Sequence, residues 1–413
     1  MTSTSDRAYV WGWLPGETSP TPVGLVARAS DGRLSFAYGT RYLQRPDAIA
    51  LYGLPLVEGF VAPPDGWDIA PCLRDASPDA WGRRIILDRM LGRRGPNADT
   101  GDLDELTYLL ESSSNRVGAL DFQHDARAYV PRERAAGLAT MYDAAIALDA
   151  GTALPGDLRA ALASGTGIGG ARPKAYLRLD DGRDVIAKFA VSDDPFPVVK
   201  AEGVAIELAR RAGIDVPNSW VERVSGREVL IAERFDRTPD GGRRMIVSAL
   251  TFTGESETTA RYVTYGDIRD TLLREGADGR VGTKLFERIA FNIAIGNSDD
   301  HARNHAAFWD GHTLDLTPAY DLSPSSRSGE TATLALAYDS RGSKASNLAM
   351  LLAAAHEYGL DRTRAGRIID RIVTTIREHW ADAADHARLS VAERNYLWGR
   401  QFLNPGSLHG LEG

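Results

Sequence analysis

The chain has 413 residues and 44.8 kDa, with 48 basic against 56 acidic side chains and a formal charge of −8. At 43% apolar and 25% charged it is too apolar to be disordered, and its length predicts two or three units. The acidic balance argues against wholesale coating of nucleic acid; the lone cysteine, Cys72, excludes an internal disulfide and fits a reducing cytosol; and the polar start, Met1 to Arg7, with no long apolar run, predicts neither a secretory leader nor a membrane span.

The first third reads as β-rich, then helical. Ala8 to Trp13, Pro22 to Ala29 and Leu34 to Tyr38 are strand-like, and Asp31-Gly32 is a hairpin turn. Ser77 and Pro78 read as the start of a helix carrying Trp81, Ile85, Ile86 and Met90. A second helix begins near Asp102, and Val117 to Phe122 is a short strand. Residues 140–163 read as mostly helical with a break at Pro155-Gly156, and Ser164 to Lys174 is a glycine-dense loop. Ala175 to Leu179 and Val185 to Ala190 form a hairpin across Asp181-Gly182. A helix over about 198–212 ends at Gly213, and Ser219 to Val224 pairs with Glu228 to Glu233. Tyr265 to Arg274 and Thr283 to Ile295 have helical spacing, a polar cluster spans Gly296 to His305, and residues from about 343 to 402 are helical again. Pro405 to Gly413 reads as a frayed tail.

The order of the polar groups fits phosphoryl transfer. A glycine loop can offer backbone N–H groups to phosphate oxygens, a strand lysine (Lys188) can pair with them, and a helix carboxylate (Glu202) can hold that lysine. Asp299 can accept the proton of an attacking hydroxyl, and Asn304, five residues on, can share a divalent cation with Asp321. Each part alone has an ordinary reading: a linker, a solvated strand lysine, a solvated helix glutamate, a capped polar loop. The conjunction in this order favours chemistry. His301 and His305 sit four apart, but no H-E-x-x-H pattern accompanies them, so His301 is read as structural or base-orienting rather than zinc-binding. Trp81, Trp220, Trp309, Trp380 and Trp398 read as core anchors, and Arg83-Arg84 and Arg93-Arg94 as solvated charge pairs.

Several blocks resemble the HipA family, the serine/threonine kinase toxins of bacterial HipBA-type toxin–antitoxin modules. They are Gly169 to Ala175, Val185 to Lys188, Ile231 to Arg237, Gly296 to Asn304 and Leu316 to Asp321. The resemblance implies an α+β, two-lobed protein kinase-like fold with an additional N-terminal β-containing subdomain. Its expected divisions are 1–130, an N-lobe with glycine loop and hinge over 131–237, and a mainly helical C-lobe over 238–413. It implies ATP and Mg²⁺: Gly169, Gly170, Ala171, Lys174 and Lys188 at the phosphates, Glu233 and Phe235 meeting adenine through their backbone, Asp299 as base, and Asn304 and Asp321 on the metal. It implies a helix-turn-helix antitoxin as partner, a protein substrate such as an aminoacyl-tRNA synthetase, DNA contact only through the antitoxin complex, no membrane, and a cytoplasmic location. The family often carries an autophosphorylated Ser where this chain has Gly167, which leaves Thr166 or Ser164 as candidate acceptors. Two other readings compete. One is a small-molecule phosphotransferase with an acceptor pocket built from Asp361, Glu378, Asp382 and Asp385. The other is a catalytically silent antitoxin- or DNA-binding module.

Overall fold

The computed structural model describes residues 5–93, 98–132, 138–149, 172–191 and 194–411. The chain divides into two compact units, one of Met1–Ser192, Glu233–Val247 and Phe308–His312, the other of Asp193–Ala232, Ser248–Ala307 and Thr313–Gly413.

In the first unit, strands β1 (Arg7–Gly12), β2 (Thr21–Arg28), β3 (Leu34–Tyr38), β4 (Phe60–Val61) and β5 (Leu120–Gln123) form an antiparallel sheet of order β4-β3-β2-β1-β5. Alternation decides its buried face: Ala8 and Val10 of β1, Val26 of β2 and Phe36 of β3 are buried. They pack with Leu73, Leu106, Leu109 and Phe122 in one core. The helix expected from Ser77 starts three residues later, at Ala80, and runs to Leu91. The Ser77 hydroxyl is engaged by Glu105 instead of capping, and Arg83 Nε donates to the Pro78 carbonyl at 2.9 Å. Arg83 pairs with Glu105 and lies over the Tyr108 ring at 4.4 Å, so this arginine is built into the fold rather than solvated.

A second hairpin follows in the same unit, β6 (Lys174–Arg178) and β7 (Asp184–Phe189). Val185, Ala187 and Phe189 of β7 are fully buried, which assigns the alternate residues Ile186 and Lys188 to the other face. The turn is set by the Asp181 carboxylate, which accepts from the Arg183 N–H at 3.1 Å.

In the second unit, β8 (Ser219–Val224) pairs with β9 (Arg227–Glu233). The helix Val198–Arg211 buries Ala201, Val204, Ala205 and Leu208 on one stripe. Gly203 interrupts it at a cost of about 1 kcal/mol relative to alanine. Close packing requires it: a Cβ there would meet Val221 Cγ2 of β8 at 2.6 Å. The long helix Arg362–His386 packs against this helix and against Val281–Ile295, whose Leu285, Phe286, Ile289 and Ile293 are fully buried.

Residues 403–408 are docked rather than frayed, which corrects the expectation for the start of the Pro405 to Gly413 tail. Pro405–Leu408 is a helical turn capped by Asn404, Ser407 is buried and accepts from Arg327 Nη1 at 2.9 Å, and Leu403 N–H donates to the Ala294 carbonyl at 2.7 Å. Among the described residues no helix is long and apolar enough to cross a membrane.

Candidate active site

Helix Val281–Ile295 ends in Gly296, whose left-handed φ of +70° turns the chain into Asn297 to Asn304. A Cβ at Gly296 would meet the Gln401 carbonyl at 2.8 Å, so the C-terminal segment forms the floor of this turn. Within the loop, the Asn304 side-chain amide donates to the Asp299 carbonyl at 3.2 Å. The Asp299 N–H donates to Asn297 Oδ1 at 3.2 Å, and Asn297 Nδ2 reaches the Asp321 carbonyl at 3.5 Å. Hydrogen bonds therefore link the loop bearing Asp299 and Asn304 to the backbone of Asp321. Asp321 adopts φ +57°, an αL conformation that aspartate tolerates better than most residues but that still costs about 1–2 kcal/mol. Strain of this kind gathers at functional sites.

Asp299 is exposed while its neighbour Asp300 is 2% exposed. Asp300 Oδ2 accepts from Tyr265 at 2.5 Å and Asn292 at 2.8 Å, and lies 3.0 Å from His305 Nε2. Burial alone would raise this carboxyl; the facing His305 ring and the bonds from His305 and Tyr265 hold it below the ordinary value. Burial and the Asp300 charge push the Tyr265 hydroxyl well up, so it stays a neutral donor. His305 rather than His301 is thus the histidine built into the loop. Among the described residues no cluster of three or more histidine, cysteine or acidic groups could hold a metal. A cation bound through Asn304 and Asp321 would take only an amide and a carboxylate from the protein. These are hard oxygen donors that suit Mg²⁺ shared with phosphate oxygens.

In the first unit, Lys174 and Lys188 stand directly opposite each other in the β6–β7 register, on one face, with Lys174 buried. The Lys174 carbonyl accepts from Trp81 Nε1 at 3.1 Å, which fixes the strand's start. Gly169, Gly170, Ala171, Thr166 and Ser164 lie outside the described residues. Glu233 pairs through its side chain with Arg183, and Phe235 packs edge-on against Phe308 with centroids 6.0 Å apart. The flanking Arg234, Asp236 and Arg237 are buried in a clamp that the sequence reading missed. Arg234 and Arg237 pair with Asp236, and both donate to Asn115 Oδ1, at 2.9 and 2.7 Å. Asp236 Oδ2 accepts from the Gly118 N–H at 2.7 Å. The alternating charge of Arg234-Phe235-Asp236-Arg237 was the available signal.

Glu202, expected as a solvated residue when taken alone, is buried. Three of the four acids of the phosphotransferase reading are engaged elsewhere. Asp361 caps a helix, Asp382 pairs with Arg211, and Asp385 pairs with Arg394.

A family model for the HipA-like C-terminal domain matches residues 166–380, more than half of the chain. The chain belongs to the HipA family. Two curated relatives are similar over parts of it. A Sinorhizobium fredii protein, Y4mE, named as a candidate kinase, is 28% identical over 173 residues, 38% of this chain and 41% of its own length. The serine/threonine-protein kinase toxin HipA of Shewanella oneidensis is 29% identical over 143 residues, 29% of this chain and 33% of its own length. The matches thus span well under half of those relatives. The fold is shared more widely. A chain of the structure of the HipA, HipB and operator DNA toxin–antitoxin complex from Shewanella oneidensis matches with a TM-score of 0.66 at 18% identity, over 96% of this chain and 99% of that chain. The α+β, kinase-like fold expected from the sequence, including a β-containing N-terminal part, is the fold of this HipA family member.

Proposed function

We propose that this HipA family member is an ATP-dependent serine/threonine protein kinase toxin. It transfers the γ-phosphoryl group to a protein hydroxyl in a translation factor such as an aminoacyl-tRNA synthetase. The observation that carries the reading is the loop in which exposed Asp299 is bonded to the Asn304 side chain and is tied through Asn297 to the backbone of strained Asp321.

Catalysis here is positioning and charge stabilisation rather than covalent chemistry. Asp299 orients the acceptor hydroxyl and takes its proton at a carboxylate oxygen. Lys174 and Lys188 meet the triphosphate from one face of their hairpin. Asn304 and Asp321 hold the divalent cation, which when bound neutralises charge building on the phosphoryl oxygens. The backbone at Glu233 and Phe235 meets adenine, held in shape by the Arg234–Asp236–Arg237 clamp. Thr166 or Ser164 is the autophosphorylation site; phosphopeptide mapping after incubation with ATP decides it, and an unmodified loop peptide removes it.

The Shewanella HipA structure includes HipB and operator DNA. By family analogy a small helix-turn-helix antitoxin neutralises this chain in the cytoplasm, and the formal charge of −8 favours DNA contact through that partner. The test is transfer from γ-labelled ATP with Mg²⁺ into a lysate depleted of small molecules. A discrete labelled protein that disappears with Asp299→Asn supports the reading. Transfer only after small molecules are restored replaces it with a small-molecule phosphotransferase, and no transfer in either condition with a silent binding module.

A further inference from the structure

Beneath the loop lies a chain of buried polar side chains that the roles above do not use. Tyr265 stands at the first turn of helix Tyr265–Arg274, and Asn292 in the last turn of helix Val281–Ile295. Both donate to one oxygen of Asp300. The same Asn292 accepts, through Oδ1, from Asn297 Nδ2 at 3.0 Å. Asn297 then holds both halves of the site. Its Oδ1 accepts from the Asp299 backbone, and its Nδ2 reaches the Asp321 carbonyl. The path runs from two packed helices to the backbone of the base and of the metal-binding aspartate. Tyr265, Asn292, Asn297 and Asp300 are all buried. Burying four polar groups costs free energy unless every bond is made, and when made they rigidify what they touch.

We propose that Asn297 and Asp300 are positioning residues that set Asp299 against Asp321. They act on the transfer step and leave ATP binding unchanged. The inference rests on the kinase reading above. Helices hold a constellation more exactly than loops do, and here the loop borrows its geometry from two of them.

The experiment measures ADP release by the full chain with Mg²⁺-ATP and the depleted lysate, for wild type, Asp299→Asn, Asp300→Asn and Asn297→Ala. In parallel, the thermal shift given by Mg²⁺ plus the non-hydrolysable β,γ-imido ATP analogue reports binding alone. The expected result for Asp300→Asn and Asn297→Ala is a fall in kcat of about 10–100-fold, the range seen when outer partners of a site are removed. KM for ATP stays within twofold and the thermal shift is retained. Should either variant fail to melt cooperatively, Tyr265→Phe removes one bond to Asp300 and lowers kcat about fivefold. Variants that turn over ATP within twofold of an active wild type, or that lose rate only through KM, overturn the proposal. A wild type that transfers nothing, matched by Asp299→Asn, removes the kinase reading and this inference with it.

Discussion

Asp299 and Asp300 are chemically identical and adjacent, yet one faces solvent and the other is buried under three partners. Their substitutions therefore separate activity from stability. Asp299→Asn should lower transfer about 10²–10⁴-fold, the range for a lost general base. Its unfolding midpoint should stay where it is, because an exposed substitution costs within about 0.5 kcal/mol. Asp300→Ala should cost about 2–5 kcal/mol in a denaturant titration, since Tyr265 and Asn292 are left without their acceptor. Asp321 offers a third contrast. Glycine accepts φ +57° without steric penalty, so Asp321→Gly should still fold, as a thermal melt would record, while transferring nothing. A variant that kept activity would move the metal role away from this residue.

At the scale of elements, the segment Arg234 to Arg237 is set by the clamp rather than by its strand. Burial tends to raise the Asp121 and Asp236 carboxyls. The charges of Arg116 and Arg132 beside the one, and of Arg234 and Arg237 beside the other, more than offset this and hold both below the ordinary 3.8. Burial pushes Arg237 down to about 9 and Arg116 to about 10, so both remain charged near neutral pH. A carboxyl lowered in the folded state adds stability that is fully present above its unfolded value and is lost as pH falls through the folded one. The first unit should therefore keep its clamp stability down to about pH 4 and lose it progressively below, as a pH series of thermal melts would record. Asp236→Asn should remove about 3–5 kcal/mol at neutral pH, because it leaves two buried arginines facing an amide, and should weaken that acid dependence to the share carried by Asp121. The strands and long helices were legible because their apolar periods are clean. Tyr265–Arg274 and Ser219–Val224 match their expected bounds. Asp299, Asn304 and Asp321 were legible as candidates because their spacing carries chemistry. The clamp and the Asn292–Asn297 relay were not, because each joins residues whose pairing only tertiary packing decides. Asn292, a lone amide in the apolar run Phe291 to Ile295, was the visible clue.

Across the whole molecule, the fold is one shared with a HipA structure at 18% identity, so many different side chains can build it. In this chain the polar loop is supported from the C-terminal segment. The turn at Gly296 rests on Gln401, and Ala294 accepts from Leu403, so residues far apart in sequence make one seat. Gly296→Ala meets both a positive φ and a backbone carbonyl, and it should lower stability and transfer together. That seat also imposes an order in time. A ribosome adds about 5–20 residues per second, so the loop emerges roughly 5–20 seconds before the segment beyond residue 400 that must lie beneath it. On the proposed function, a chain cut before residue 400 should therefore transfer nothing, which a truncation assayed with labelled ATP would record. For a protein proposed to act on the translation that makes it, this delay separates the making of the loop from the making of its seat.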